Sequence, residues 1–208
     1  MGSKANNMIV LTGDIIHSSD FEAEQWLPLL EGGIHPYSTN YDIFRGDSFQ
    51  ALVSADTCFH AVFNLKASLR QIEGLDIRIG IGVGLVDRLD EDIKKSSGQA
   101  FVYSGRALDD LEKESLEFRS PWEDLNEEIN LMMSLCTRIT DQWTPNLAET
   151  VKAALENPEA SQMELSNIIG RKHQSQVSKE LSRAHYAKIM DVISYCTKKL
   201  KKYVDEPA

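Results

Sequence analysis

Residues 8–16 (MIVLTGDII) form an apolar, β-branched run, the pattern of a strand buried inside a sheet. Ser18, Ser19 and Asp20 form a capping cluster ahead of an amphipathic helix predicted over 21–30, which Gly32, Gly33 and Pro36 are expected to end. Two short extended runs follow, 41–45 and 48–53, joined only by Gly46 and Asp47. A two-residue turn containing glycine between such runs predicts a hairpin. Over 55–73, Phe59, Val62, Phe63 and Leu69 recur at helical steps, with Lys66 able to lay its stem along the same face. Residues 76–86 (DIRIGIGVGLV) alternate with the period of a strand, and their glycines admit close approach of a ligand or a neighbouring element.

The pattern then predicts a polar loop over 87–98, a short strand over 100–103 and a helix over 105–119. Ser120 and Pro121 mark a boundary, serine as cap and proline at the first helical position. The next helix carries Trp122, Leu125, Ile129, Met132, Cys136, Ile139 and Trp143 on one stripe, and Thr144 and Pro145 break it. Short helices are expected over 147–155 and 161–169, then a tight turn at Gly170 and a longer helix over 174–193. The strand-helix-strand-strand-helix-strand order of 8–86 is the split βαβ pattern of ferredoxin-like folds. The expected fold is therefore α+β: a ferredoxin-like sheet with helices over 8–119, a connecting helix over 120–145, and an all-α helix-turn-helix domain over 146–208.

Composition narrows the class. Of the 208 residues, 42% are apolar and 26% charged, which is globular rather than disordered composition. No apolar run approaches the roughly 18–20 residues that span a bilayer, so no membrane partner is expected. Residues 1–7 hold no apolar core of a secretory leader, and a cytoplasmic location is the expectation. Cys58, Cys136 and Cys196 fall at apolar helical positions and read as buried, reduced thiols. The net charge of −10 argues against nucleic acid, but it is unevenly spread. Between Arg171 and Lys202 the only acids are Glu180 and Asp191 among nine basic residues, which suggests a basic surface on an acidic body.

The predicted topology makes the first strand and the second hairpin strand neighbours, so Asp14 and Asp47 meet at one sheet edge. Paired carboxylates with phosphate oxygens suit Mg²⁺, and two such ions can activate a hydroxyl and stabilise a leaving oxygen. The plain alternative is that Asp14 caps the following helix and Asp47 is a turn residue.

The segments TGDII, FRGDSFQALV, IRIGIGVGLV and GQAFVYSGRALDDL resemble the successive motifs of class III nucleotidyl cyclase catalytic domains. With the C-terminal region included, their order and wording resemble the SatD family of bacterial proteins over nearly the whole chain. The cyclase resemblance implies a nucleotide-binding sheet in which Asp14, Asp47 and the Ile15 carbonyl hold Mg or Mn. Arg45 and Gly46 in the turn, and Ser104 ahead of a helix, are the candidate nucleotide contacts, and Arg106 the candidate catalytic arginine. Arg45 has a second reading, as the partner of a neighbouring acid. The ribose-contacting asparagine of cyclases has no counterpart in FVYSGRALDD, and residues 41–44 lack the base-selecting lysine.

In the C-terminal part, helix, glycine turn and polar-faced helix form a helix-turn-helix signature. Lys172, Gln174, Ser175, Gln176, Lys179 and Arg183 supply the amides, hydroxyls and cations that base edges and phosphates take. A plain helical hairpin used for packing or dimerisation is the alternative. The leading expectation is a bacterial regulator in which a cyclase-like domain binds nucleotide and the helical part binds DNA, as a homodimer. A divergent nucleotidyl cyclase and a protein-interaction module are the rivals.

Overall fold

The computed structural model describes residues 7–44, 46–112 and 114–205. The fold is α+β. Strands β1 (Asn7–Ile16), β2 (Tyr41–Phe44), β3 (Ser48–Val53) and β4 (Asp76–Arg88) pair antiparallel in the order β2-β3-β1-β4. A two-residue strand, β5 (Ser97–Gly98), continues the sheet beside the end of β4, and β6 (Leu116–Arg119) pairs parallel to its first half. The register sets Asp14 opposite Ser48 on one side and Arg78 on the other.

Strand alternation divides the sheet into two unlike faces. Ile9, Leu11, Ile15, Phe49, Ala51, Ile77, Ile79, Ile81 and Val83 join one buried cluster with α1 (Ala23–Ile34) and α2 (Cys58–Leu69). The opposite face of β4 is the glycine row. A Cβ on Gly82 would lie 2.1 Å from the Ala100 oxygen and 2.2 Å from the Ser104 nitrogen; one on Gly80 would meet Ser104 and Leu108 as closely. The close neighbour that the glycines admit is a helix, α3 (Gln99–Asp109), seated backbone to backbone on the strand.

This corrects the expectation of a strand over 100–103 and a helix over 105–119. Ala100, Ser104 and Ala107 form the buried face of α3, a stripe of small side chains that fits the glycine row. The apolar run AFVY imitates a strand, but its register is helical. Leu116 and Phe118 then alternate inward as β6, an extended piece whose Glu117 and Arg119 disguise it as the end of a charged helix. The Asn130 amide seals this strand from outside, accepting from the Phe118 N–H at 2.7 Å and donating to its carbonyl at 2.9 Å.

Helix α4 (Glu123–Thr140) packs along β6, and α8 (Tyr186–Asp205) returns beside it. Their antiparallel course is shown by the contacts of Tyr203 with Asp124 and of Tyr195 with Glu128. Between them lie α5 (Pro145–Glu156), α6 (Gln162–Ile168) and α7 (Gln174–Arg183). The helix expected over 174–193 is two helices. The chain breaks at Ala184 and His185, which takes a left-handed φ of 54°. The Trp143 indole donates to the Ala184 carbonyl at 3.1 Å, satisfying an acceptor that the helix end exposes. The buried cluster beginning at Ile9 runs on through Leu125, Trp143, Val151 and Ile193 to Leu200, crossing both expected domain boundaries. No helix among the described residues is long and apolar enough to cross a membrane.

Candidate functional site

The structure brings Asp14 and Asp47 to one edge of the sheet, as the register requires. Gly46 takes a left-handed φ of 93°, and the hairpin it turns carries Asp47 back to β1, where the Asp47 carbonyl accepts from the Ile15 N–H at 3.2 Å. The Ile15 side chain faces the core and is 4% exposed. Arg45 lies outside the described residues.

Sequence reading missed the residue that dominates this edge. Arg78, opposite Asp14 on β4, grips its carboxylate with both arms, Nε to Oδ1 at 2.8 Å and Nη2 to Oδ2 at 2.5 Å. Hydrogen bonding to Asp14 raises the Arg78 pKa further, and the charges of Asp14 and Asp47 act in the same direction. Asp47 in turn accepts from the Ser18 hydroxyl at 2.5 Å. The signal for Arg78 was present: it shares the parity of Gly80, Gly82 and Gly84, just as Asp14 shares that of Thr12.

Behind the ion pair the same face is polar and largely buried. Thr12 Oγ1 accepts from Gln50 Nε2 at 3.1 Å and lies 2.8 Å from Ser104 Oγ. Ser104 is fully buried in the middle of α3, so it does not stand ahead of a helix as expected; it packs α3 on the sheet. Arg106 is exposed on another side of α3. It lines a cleft of about 320 Å³ with Tyr103, Glu117, Arg119, Glu123 and Asn126, and the lining includes neither Asp14 nor Asp47.

A two-metal centre does not fit the edge as it is arranged. Both Asp14 oxygens are taken by a guanidinium, one Asp47 oxygen by a hydroxyl, and no group of three metal-ligating side chains occurs among the described residues. A cation would first have to displace Arg78.

Helices α5, α6 and α7 form a second candidate. Ala153, Ala154, Leu165 and Val177 make a small core of their own. Ser161 caps α6 in a reciprocal capping box with Glu164, and Gly170 makes the turn at φ 67°. Arg171 is structural: it pairs with Glu149 at 2.8 Å and Glu180 at 3.1 Å, tying the turn to α5 and α7. Ser175, Gln176, Lys179 and Arg183 share an exposed stripe of α7, with Lys172 exposed just before it. Gln174, also exposed, lies off that stripe and donates to Gln162 of α6 at 2.6 Å. Among the described residues, Lys172, Lys179 and Arg183 make no ion pair, nor do Arg106, Lys198 and Lys202, whereas Lys188, Lys199 and Lys201 do.

A further charged cluster was visible only in part from sequence. Lys66 is wholly buried, and its ammonium donates to Ser115 at 2.6 Å and to Asp76 and Asp141 at 3.2 Å. Arg70 adds bonds to Asp76 and to the carbonyls of Asp141 and Trp143. Together they fasten the junction of α4 and α5 to the sheet.

No protein family and no curated relative matches this chain. Sheet and helices define the class as an α+β protein, and its function has to be argued from these sites.

Proposed function

We propose that the chain is a DNA-binding regulatory protein that reads DNA with α6 and α7 as a helix-turn-helix. The observation that carries this is the α7 stripe. Its cations make no ion pair among the described residues, unlike most of the other described lysines and arginines, and its polar groups stand at the N-terminal half of the helix. That is where a recognition helix meets base edges, with lysine and arginine placed for phosphates. A packing hairpin would bury this face, and here the buried face is the other one, Val177, Glu180 and Ala184.

In this reading the sheet is the input domain. The strand order β4-β1-β3-β2, with α1 and α2 on one face, supports a ferredoxin-like, cyclase-related sheet. A nucleotide with Mg or Mn is the ligand that resemblance suggests. The Asp14–Arg78 pair stands against a working two-metal cyclase, so sensing is preferred to turnover.

The test is fluorescence anisotropy on fragments selected from random duplex DNA. Lys172→Ala, Lys179→Ala and Arg183→Ala should each weaken binding and lower the salt slope by about one. Selection that enriches no sequence, or a triple variant that binds with the wild-type salt slope, ends the proposal.

A further inference from the structure

Helix α4 turns two leucines to solvent. Leu131 is 60% exposed and Leu135 is 58% exposed, one turn apart on the same ridge. Beside them on α8, Tyr195 is 41% exposed, its hydroxyl held by Glu128 one turn before Leu131. The leucines form an apolar pair on α4, bordered across Glu128 by Tyr195 on the adjacent helix. Exposed apolar residues scattered singly need no explanation, whereas adjoining ones with charged ends mark a surface that another molecule covers.

The charges along the ridge identify the occupant. On its N-terminal side stand Glu127 and Glu128; on its C-terminal side stands Arg138, whose only ion-pair partner among the described residues is Glu114 at 3.4 Å on an arginine 70% exposed. Acid, leucine, leucine, arginine is self-complementary when read in reverse. An antiparallel second copy lays Leu131 on the partner's Leu135 and brings Arg138 opposite the partner's Glu127, Glu128 being held within its own chain by Tyr195 and by Lys199 at 3.0 Å. A two-fold axis then repeats the same contacts at the other end, as an isologous interface requires. A partner of different sequence would have no reason to match a ridge that matches itself.

We infer that α4, flanked by Tyr195 of α8, is the homodimer surface of this protein, with two α4 helices antiparallel across a two-fold axis. The surface is separate from the α7 stripe, so it leaves both copies of that stripe open. The inference does not rest on DNA binding, and its test uses no DNA.

Sedimentation equilibrium of the full chain is expected to show a concentration-dependent dimer. Leu131→Ser with Leu135→Ser should raise its dissociation constant at least about tenfold, while circular dichroism and melting remain those of a folded chain, because both side chains are already solvated in the monomer. Arg138→Glu should weaken the dimer, and adding Glu127→Arg to it should restore association by reversing the charges on both sides. A monomer at every concentration, or a dimer indifferent to the leucine changes, overturns the inference. So does charge reversal without restoration.

Discussion

Arg78 and Asp14 face each other across β1 and β4, joined by two hydrogen bonds of 2.8 and 2.5 Å. The pair is bidentate but partly solvated, with side-chain exposures of 40% and 24%. Screening therefore limits its worth to about 1 kcal/mol. Arg78→Met is expected to lower the unfolding free energy by about that amount in urea titrations. It also releases both Asp14 oxygens, so Mn²⁺ alone should raise the melting temperature of Arg78→Met more than that of wild type, and the gain should vanish in Arg78→Met/Asp14→Asn. An equal Mn²⁺ response in wild type would show that the arginine does not guard the carboxylate.

Two glycines, Gly82 of β4 beneath α3 and Gly105 on the open side of α3, separate steric need from helix propensity. Gly82→Ala drives a methyl into the backbone of α3 and is expected to cost about 3 kcal/mol. Gly105, within α3, has nothing within 4 Å of an added Cβ, so Gly105→Ala should stabilise by about 1 kcal/mol. Chemical denaturation of the two variants gives opposite signs if α3 is seated as described.

Arg171 is 12% exposed and Glu180 is 11% exposed, so Arg171→Met leaves a nearly buried carboxylate with less than its share of donors. The Thr150 and Gln176 side chains still donate to Glu180. A loss of about 3 kcal/mol is expected, falling on the α5–α7 unit, and amide exchange in those helices should quicken most. Arg171→Met/Glu180→Gln should recover part of the loss.

The Lys66 cluster predicts a smaller loss than its burial suggests. Lys66→Met removes a fully buried charge, but Asp76 keeps Arg70 at 2.6 Å and Asp141 is 43% exposed to water. About 2 kcal/mol is expected, against the larger figure for a buried ion stranded alone. Thermal unfolding of Lys66→Met and Lys66→Ala distinguishes charge from packing, with the alanine variant worse because it also opens a cavity.

Acid should loosen α8 before the rest of the fold. The Tyr203 hydroxyl holds the Asp124 carboxyl below its ordinary 3.8, and the Tyr195 hydroxyl with Lys199 holds Glu128 below 4.5. Both folded-state values are depressed, so their stabilisation is fully present above the unfolded values and fades as pH falls through the folded ones. Amide exchange between pH 6 and about pH 3 is expected to show protection lost first along α8. Asp124→Asn/Glu128→Gln should remove that pH dependence.

The sequence made the sheet legible where alternation and turn chemistry agree. Residues 8–16 and 76–86 announce β1 and β4, and the glycine at 46 announces the hairpin between β2 and β3. Local pattern failed where long-range packing decides. Gly32 and Gly33 look like a helix end, yet α1 continues to Ile34, because Gly33 sits against Leu65 and Ser68 of α2 where a Cβ would be tight. Small residues at 100, 104 and 107 carry no helical signal until the glycine row they cover is known. At the edge of the sheet, the two aspartates could be placed from topology alone. Arg78 could be placed on their face by its parity with the glycine row, but only the register of β1 with β4 sets it opposite Asp14.

The amide of Asn130 has a meaning beyond its own two bonds. The Phe118 peptide on the outer rim of β6 would otherwise be a template on which a foreign strand could grow. A side chain shaped like a peptide occupies that template in advance. On this rim the protein carries its own blocking group, so the Phe118 main-chain pair is closed to sheet-to-sheet recruitment, the first step of strand-mediated aggregation.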